Sequence, residues 1–190
     1  MLIHWHQHII TYILRNPVLV LILAWIVQHE GSLRVKVNVL IDKEYKRLLT
    51  NTWLRNAAGQ VLIEENAKPM VEVGLVITGQ DKIQELNHRY LDENRPTDVL
   101  SFPMLEAKFD EDCFVSPPDG ALRIGEVIIS YPQAKKQARQ HSHTVKKEVA
   151  VLIVHGILHL LGYDHDTTTR KREMRKREKD ILHVIEEKLL

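Results

Sequence analysis

The segment from Thr144 to His165, TVKKEVAVLIVHGILHLLGYDH, decides the fold of this chain because it joins a long apolar run to a cluster of histidines. Thr144 is a favourable N-cap residue, and the residues after Glu148 are apolar nearly all the way around a helix. A helix without a polar face is buried on every side. The segment therefore predicts a helix at the centre of a domain, with the other elements packed around it.

Three histidines at the end of this segment have the spacing of metal ligands. His155 and His159 are four residues apart, so their side chains lie one turn apart on the same helix face. Gly162 can take the left-handed conformation that ends a helix, so the chain can fold back and bring His165 to the same place. Imidazoles buried among Leu, Ile and Val need a partner, and a shared cation meets that need. Three histidines leave the fourth position of a tetrahedral zinc ion open to water, which predicts a catalytic site.

The same histidine spacing occurs in the metzincin zinc peptidases, whose motif is H-E-x-x-H-x-x-G-x-x-H. In those enzymes the glutamate acts as the general base on zinc-bound water. The corresponding residue here is Gly156, so the usual route of peptide hydrolysis lacks its base. A zinc metallopeptidase is therefore an alternative function and not the first choice.

The composition of the chain limits the classes of protein to which it can belong. With 190 residues, of which 44% are hydrophobic, the chain suits one domain with a sizeable core. The 26 basic and 25 acidic side chains nearly balance, so any affinity for nucleic acid has to come from local basic patches. Cys113 is the single cysteine, which excludes an internal disulfide and a thiolate zinc site and favours a reducing, cytoplasmic location.

Strand and helix patterns fill residues 33–190. Strands are expected in RVKVNVLID (34–42), MVEVGLVIT (70–78), TDVLSFPM (97–104) and RIGEVIIS (123–130). Besides the histidine helix, helices are expected from a cap at Asp42 to about Asn66, in GQDKIQELNHRYL (79–91), after Ser130, and from Thr167 to the C-terminus. The acidic segment 105–121, which contains adjacent prolines and a DG turn signal, is expected to form a mobile flap.

Residues 1–32 form an N-terminal extension to the predicted domain at residues 33–190. The apolar run from Pro17 to Val27 is about half of the ~20 residues that span a bilayer. A longer span would contain Arg15, Asn16 and Pro17, and a signal peptide would need Lys or Arg where this chain has histidines. Three interpretations stay open: a disordered or wrongly assigned extension, a helix that packs on the domain or on a partner, and a membrane-associated segment. No stable membrane association is expected.

Three segments together, HGILHLLGYDH, RPTDVLSFP and IGEVIIS, closely resemble the YbeY family of metal-dependent endoribonucleases. The resemblance covers about residues 33–190, with the segments in the family's order. It implies an α+β fold in which helices pack on a four-stranded mixed sheet and a central buried helix bears the metal. It also implies one zinc ion per chain, held by His155, His159 and His165.

The resemblance further implies a hydrolase that cleaves single-stranded RNA. The expected role is maturation of the 3′ end of 16S rRNA and ribosome quality control, with the small ribosomal subunit and its assembly factors as partners. A second alternative, besides the peptidase, is a ribosome-associated RNA-binding factor in which zinc is only structural.

One position departs from the family's pattern. Family members usually carry an arginine just after the tyrosine in the segment that leads to PTDVLSF, whereas Tyr90 is followed by Leu91 here. An arginine suits this role because its forked guanidinium matches a phosphate group. Arg89 and Arg95 flank the position, and Arg95 is preferred because the extended backbone before a proline can project its side chain towards the cleft.

The group that accepts a proton during catalysis is left open. With no glutamate at position 156, the candidates are Asp164, Glu126, the RNA 2′-OH and the zinc-bound water itself. Asp164 could instead support a histidine ligand by accepting from its second ring nitrogen.

Basic and aromatic residues supply candidate contacts to RNA. The basic segment 135–147 lies just before the metal helix and could guide an RNA backbone, whereas the basic segment 170–179 is interpreted as a solvated helix face. Tyr90, Phe102 and Tyr163 are candidates for base stacking, although each is also a plausible packing residue.

Overall fold

The computed structural model describes residues 35–67, 70–104 and 121–190. The predictions for the extension at residues 1–32 and for nearly all of the acidic flap lie outside these ranges. In the described ranges, no helix has both the length and the apolar character that crossing a membrane requires. Val35–Leu190 form one compact unit.

Four strands form one mixed sheet. They are β1 (Lys36–Ile41), β2 (Val71–Thr78), β3 (Val99–Pro103) and β4 (Leu122–Ser130). The order across the sheet is β1-β2-β4-β3, in which β1 and β4 run parallel to β2, and β3 runs antiparallel to β4. The predicted four-stranded mixed sheet and the α+β class are therefore confirmed.

Five helices pack on this sheet within the described residues. They are α1 (Asn51–Glu64), α2 (Gln80–Leu91), α3 (Tyr131–Gln140), α4 (Val145–Leu160) and α5 (Thr168–Leu189). The predicted start of the first helix at Asp42 is wrong, because α1 begins after Thr50, whose hydroxyl accepts a hydrogen bond from the Trp53 N–H at 3.3 Å. The Asp42 carboxylate is engaged elsewhere, since it accepts a hydrogen bond from the Thr78 hydroxyl at 2.6 Å.

Helix α4 is the buried central helix that the sequence predicts. Thr144 caps it by accepting from the Lys147 N–H at 3.1 Å, as expected. Gly156 explains how closely α4 approaches the sheet, because a Cβ atom at this position would lie 2.5 Å from Cγ1 of Val127 in β4. The Ser101 hydroxyl of β3 also donates to the Gly156 carbonyl at 3.1 Å. These contacts fix the helix against the middle of the sheet.

The two faces of the sheet are covered differently. The face that contains Val127 packs on α4 and belongs to the main core, which also includes residues of α1 and α5. On the opposite face, Ile83 of α2 packs with Leu100 and Ile128 in a smaller cluster. Because successive strand residues point to opposite faces, the metal helix has access to only one of them.

Candidate metal centre

The three predicted histidines lie together at the C-terminal end of α4. The Nε2 atoms of His155 and His159 are 3.2 Å apart, and the two ring centroids are 4.6 Å apart. The ring of His165 has its centroid 5.2 Å from that of His159 and 6.4 Å from that of His155. The rings of His155 and His165 therefore both lie beside the ring of His159. His155 and His165 are farther from each other, and the group whose ligand atoms all lie within 4.8 Å of one another is His159, Asp164 and His165.

The turn after α4 brings His165 back to the helix. Gly162 has φ +91°, in the left-handed region that the sequence led us to expect. Its N–H donates to the His159 carbonyl and the Tyr163 N–H donates to the Leu158 carbonyl, both at 3.0 Å, which together form a Schellman motif. The Tyr163 hydroxyl also donates to Glu65 at 2.9 Å, so this candidate stacking residue is anchored to the end of α1.

His155 has a carboxylate partner that the sequence analysis missed. Its Nδ1 lies 2.7 Å from Oε1 of Glu178 in α5. A ligating imidazole with a hydrogen-bonded Nδ1 presents Nε2 to the metal, and the carboxylate fixes the ring orientation. The sequence does contain a signal for this contact. Glu178 lies four residues after Met174, which is buried, so its carboxylate is on the packed face of α5.

The pKa of His159 is lowered from its ordinary value. The main cause is burial, and the neighbouring His155 and His165 lower it further by electrostatic repulsion of a second positive charge. The neutral imidazole that results is the form that binds metal ions. The same packing that places His159 in the centre thus prepares it for coordination.

Asp164 lies within the centre as well. Its Oδ1 accepts a hydrogen bond from the His165 backbone N–H at 2.6 Å. One ligand atom each from His159, Asp164 and His165 lie within 4.8 Å of one another, a spacing that could hold a metal ion. The carboxylate is thus placed either to bind the metal directly or to act beside it.

Two cavities meet at His155. One is also lined by His159 together with Tyr90, Leu91 and Phe102. The other also contains His165, and its wall is formed in part by Lys171, Arg175 and Glu178 of α5. Lys171 and Arg175 are exposed, as expected for a solvated helix face, and they also line this cavity.

Tyr90 and Phe102 pack against each other in the first of these cavities. Their ring centroids are 5.0 Å apart and the rings meet edge to face. Leu91, which stands where the family usually has arginine, lines the same cavity. Leu91 and the Tyr90–Phe102 pair therefore line the same cavity as His159.

The two predicted arginines lie near this wall and are engaged by acidic neighbours. Arg89 is 2.7 Å from Glu85 on the same helix, and Arg95 is 2.8 Å from Glu93. Among the residues that the structure describes, neither arginine lines either cavity, whereas Lys171 and Arg175 do. The catalytic roles of Arg95 and Arg89 stay predictions.

Glu126 lines neither of the two cavities that contain the histidines. Its neighbour Val127 faces Gly156 of α4, so the Glu126 side chain points to the opposite face of the sheet. There it packs over Gly74 and lines a separate cavity with Asn38 and Glu72. Glu126 is thereby removed from the candidate proton acceptors.

A second group of possible metal ligands lies at the other end of α4. His141, His143 and Glu148 each offer one ligand atom, and these atoms lie within 4.8 Å of one another. The sequence analysis did not single out this group, because the two histidines precede the helix and only the folded α3–α4 turn brings them to Glu148.

Comparison with known proteins places the chain among its relatives. The family described as Endoribonuclease YbeY matches residues 36–186. A protein named Endoribonuclease YbeY from Dehalococcoides mccartyi is 46% identical over 145 residues, which cover 74% of this chain and 91% of that protein. Another of the same name from Bacillus cereus is 39% identical over 144 residues, covering 76% of this chain and 88% of the relative.

A solved structure supports the same assignment. The solution structure of TM1509 from Thermotoga maritima is 28% identical, covers 80% of this chain and 90% of its own, and has a TM-score of 0.54. The sequence resemblance is thus confirmed by a family match over most of the chain, by relatives and by fold. This chain belongs to the YbeY endoribonuclease family.

Proposed function

We propose that this protein is an endoribonuclease that hydrolyses single-stranded RNA with a zinc ion held by His155, His159 and His165. The observation that carries the proposal is the packing of the His155 and His165 rings on either side of His159, beside two cavities, with Glu178 holding the ring of His155. Family membership supports RNA as the substrate, since the relatives are named endoribonucleases.

The residues present fit a zinc ion. Imidazole nitrogens are preferred zinc ligands, and bonds of about 2.0–2.1 Å in a tetrahedral site set the ligand atoms about 3.3 Å apart. The distance of 3.2 Å between the Nε2 atoms of His155 and His159 agrees with this spacing. When bound, zinc lowers the pKa of a coordinated water and polarises a phosphoryl oxygen.

Other side chains of the site can stack on a base, contact the phosphate or accept a proton. Tyr90 and Phe102 form an aromatic surface on which a base of a single strand can stack. Lys171 and Arg175 line the other cavity at His155, where they can neutralise charge on the phosphate. Asp164 is the candidate proton acceptor, since its carboxylate lies within 4.8 Å of ligand atoms of His159 and His165.

The proposed cellular role follows from the family resemblance. It is maturation of the 3′ end of 16S rRNA and ribosome quality control in the cytoplasm, with the small ribosomal subunit and its assembly factors as partners. The aromatic pair and the α5 cations are suited to a single-stranded substrate, because stacking and phosphate contacts do not require a duplex.

The two alternatives are a zinc metallopeptidase and an RNA-binding factor with structural zinc. The peptidase needs a carboxylate at position 156, where even a Cβ atom would collide with Val127. A purely structural site is normally closed, whereas here His155 and His165 line a cavity. Both observations favour the nuclease.

The deciding experiment incubates the full chain with single-stranded RNA and, separately, with casein, with and without a chelator. We expect RNA cleavage that the chelator abolishes and added zinc restores, and no casein cleavage. Casein cleavage would support the peptidase. Zinc binding without cleavage of either substrate would support the binding factor.

A further inference from the structure

The second histidine group lies where α3 turns into α4. His141 follows the last residue of α3, and His143 lies just before Thr144, the N-cap of α4. Glu148 reaches both histidines from the first turns of α4: its Oε2 is 2.9 Å from Nε2 of His143 and 3.4 Å from Nδ1 of His141. Two nitrogens and one oxygen therefore meet at one point.

The carboxylate of this group is buried, and no lysine or arginine among the described residues forms an ion pair with it. The Glu148 side chain is 4% exposed, and its ion-pair partners in the described part of the chain are the two imidazoles. A buried carboxylate is costly unless a cation accompanies it.

The spacing of the three atoms is that of a transition-metal site. Two histidine nitrogens and a glutamate oxygen are a donor set that zinc-class ions prefer, and their separation in such a site is about 3.3 Å. The two distances to Oε2, 2.9 and 3.4 Å, fit this requirement without rearrangement of the helix. His141, whose side chain is 58% exposed, leaves the outer side open to a solvent ligand.

We propose that His141, His143 and Glu148 form a second site for a divalent ion of the zinc class, which ties the α3–α4 turn to α4. Glu148 precedes His155 by seven residues, which is about 10 Å along the helix axis. The two ions of a two-metal catalytic site lie only about 3.5–4 Å apart. The second ion would therefore lie apart from the first, and the proposal does not depend on RNA cleavage.

The test counts zinc ions bound to the metal-stripped full chain after reconstitution with zinc alone. His4, His6 and His8 can also bind zinc, so variants are compared with the parent and not with a fixed number. We expect His141→Ala and His159→Ala each to lose one ion and the double variant to lose two. His183→Ala, a change at an exposed histidine of α5, should lose none.

Thermal denaturation gives a second measurement. Zinc should raise the melting temperature of His159→Ala through the remaining site, and should raise that of the double variant less. If His141→Ala and His143→Ala bind as many ions as the parent, the group is only a hydrogen-bonded cluster and the proposal is overturned. That result would leave the His159 site, and the RNA-cleaving function, unaffected.

Discussion

The two ends of α4 carry histidine clusters that differ in access. At the C-terminal end, His155 and His165 line a cavity, and the supporting carboxylate of Glu178 comes from another helix. At the N-terminal end, the buried Glu148 is itself part of the cluster, and both histidines come from the adjoining turn. Two histidines of the first cluster thus line the cavity, whereas Glu148 is the member of the second cluster that lines it.

The largest effect is expected from His159→Ala. This imidazole is the middle member of the C-terminal cluster, so its loss should release the zinc of that cluster and lower RNA cleavage by at least about 100-fold. Cleavage assays and metal analysis measure both effects, and circular dichroism checks the fold. His183→Ala is the matched control. Cleavage at the parent rate by His159→Ala would show that the C-terminal cluster is not the catalytic one.

Glu178→Gln should have the next largest effect, because it removes the carboxylate that orients His155 and leaves the three ligands in place. Loss of such a partner costs about 10- to 100-fold in metal affinity. Competition with a chromogenic chelator measures the change. Glu187→Gln, the same substitution at an exposed position of α5, should bind zinc like the parent. Equal affinities of the two variants would mean that the His155 ring is held by packing alone.

The helix that joins the two clusters should be sensitive to one added methyl group. Gly156→Ala places a Cβ atom 2.5 Å from Val127, a stiff branched side chain in the core. We expect the free energy of unfolding to fall by about 1–3 kcal/mol. Gly59→Ala, in α1, meets nothing within 4 Å and should leave stability unchanged or raise it by up to about 1 kcal/mol. Urea denaturation compares the two; equal stabilities would show that α4 can shift away from the sheet.

Local signals in the sequence were sufficient to predict much of this architecture. Thr144 caps α4, and Gly162 ends it with a left-handed turn, because both effects depend on a few neighbouring residues. The histidine spacing likewise depends on a single helix and its turn. The return of His165 to the ring of His159 was thus predictable without knowledge of the tertiary fold, whereas the set of metal ligands stays a prediction.

Features that depend on distant parts of the chain were not predicted. The sequence predicts Asp42 as a helix cap. In the folded protein the Asp42 carboxylate instead accepts a hydrogen bond from Thr78, which is 36 residues away. Glu178 is 23 residues from His155 and meets it only because α5 packs beside α4. The same packing makes the exposed Lys171 and Arg175 part of the cavity lining, which the charge pattern of α5 alone does not indicate.

The smallest effect concerns the source of positive charge beside the C-terminal cluster, since Leu91 occupies the position of the family's arginine. Lys171 and Arg175 line the cavity that contains His155 and His165. If these cations contact the phosphate, the double change Lys171→Ala and Arg175→Ala should lower kcat/KM for single-stranded RNA about tenfold, or about 1.4 kcal/mol of transition-state stabilisation.

Arg95→Ala and Arg89→Ala provide the comparison for this last prediction. Both arginines are paired with a glutamate, and the Arg95 side chain is 75% exposed. Each single change should therefore lower kcat/KM less than the double change in α5 does. The assay is run at saturating zinc and at two salt concentrations, because the loss of a phosphate contact also weakens the dependence of binding on salt. A larger loss for Arg95→Ala than for the α5 double variant would place the phosphate on the wall formed by Leu91 and Tyr90. The loop before Pro96 would then have to move towards the cavity when RNA binds, and Arg95 would have to exchange Glu93 for the substrate.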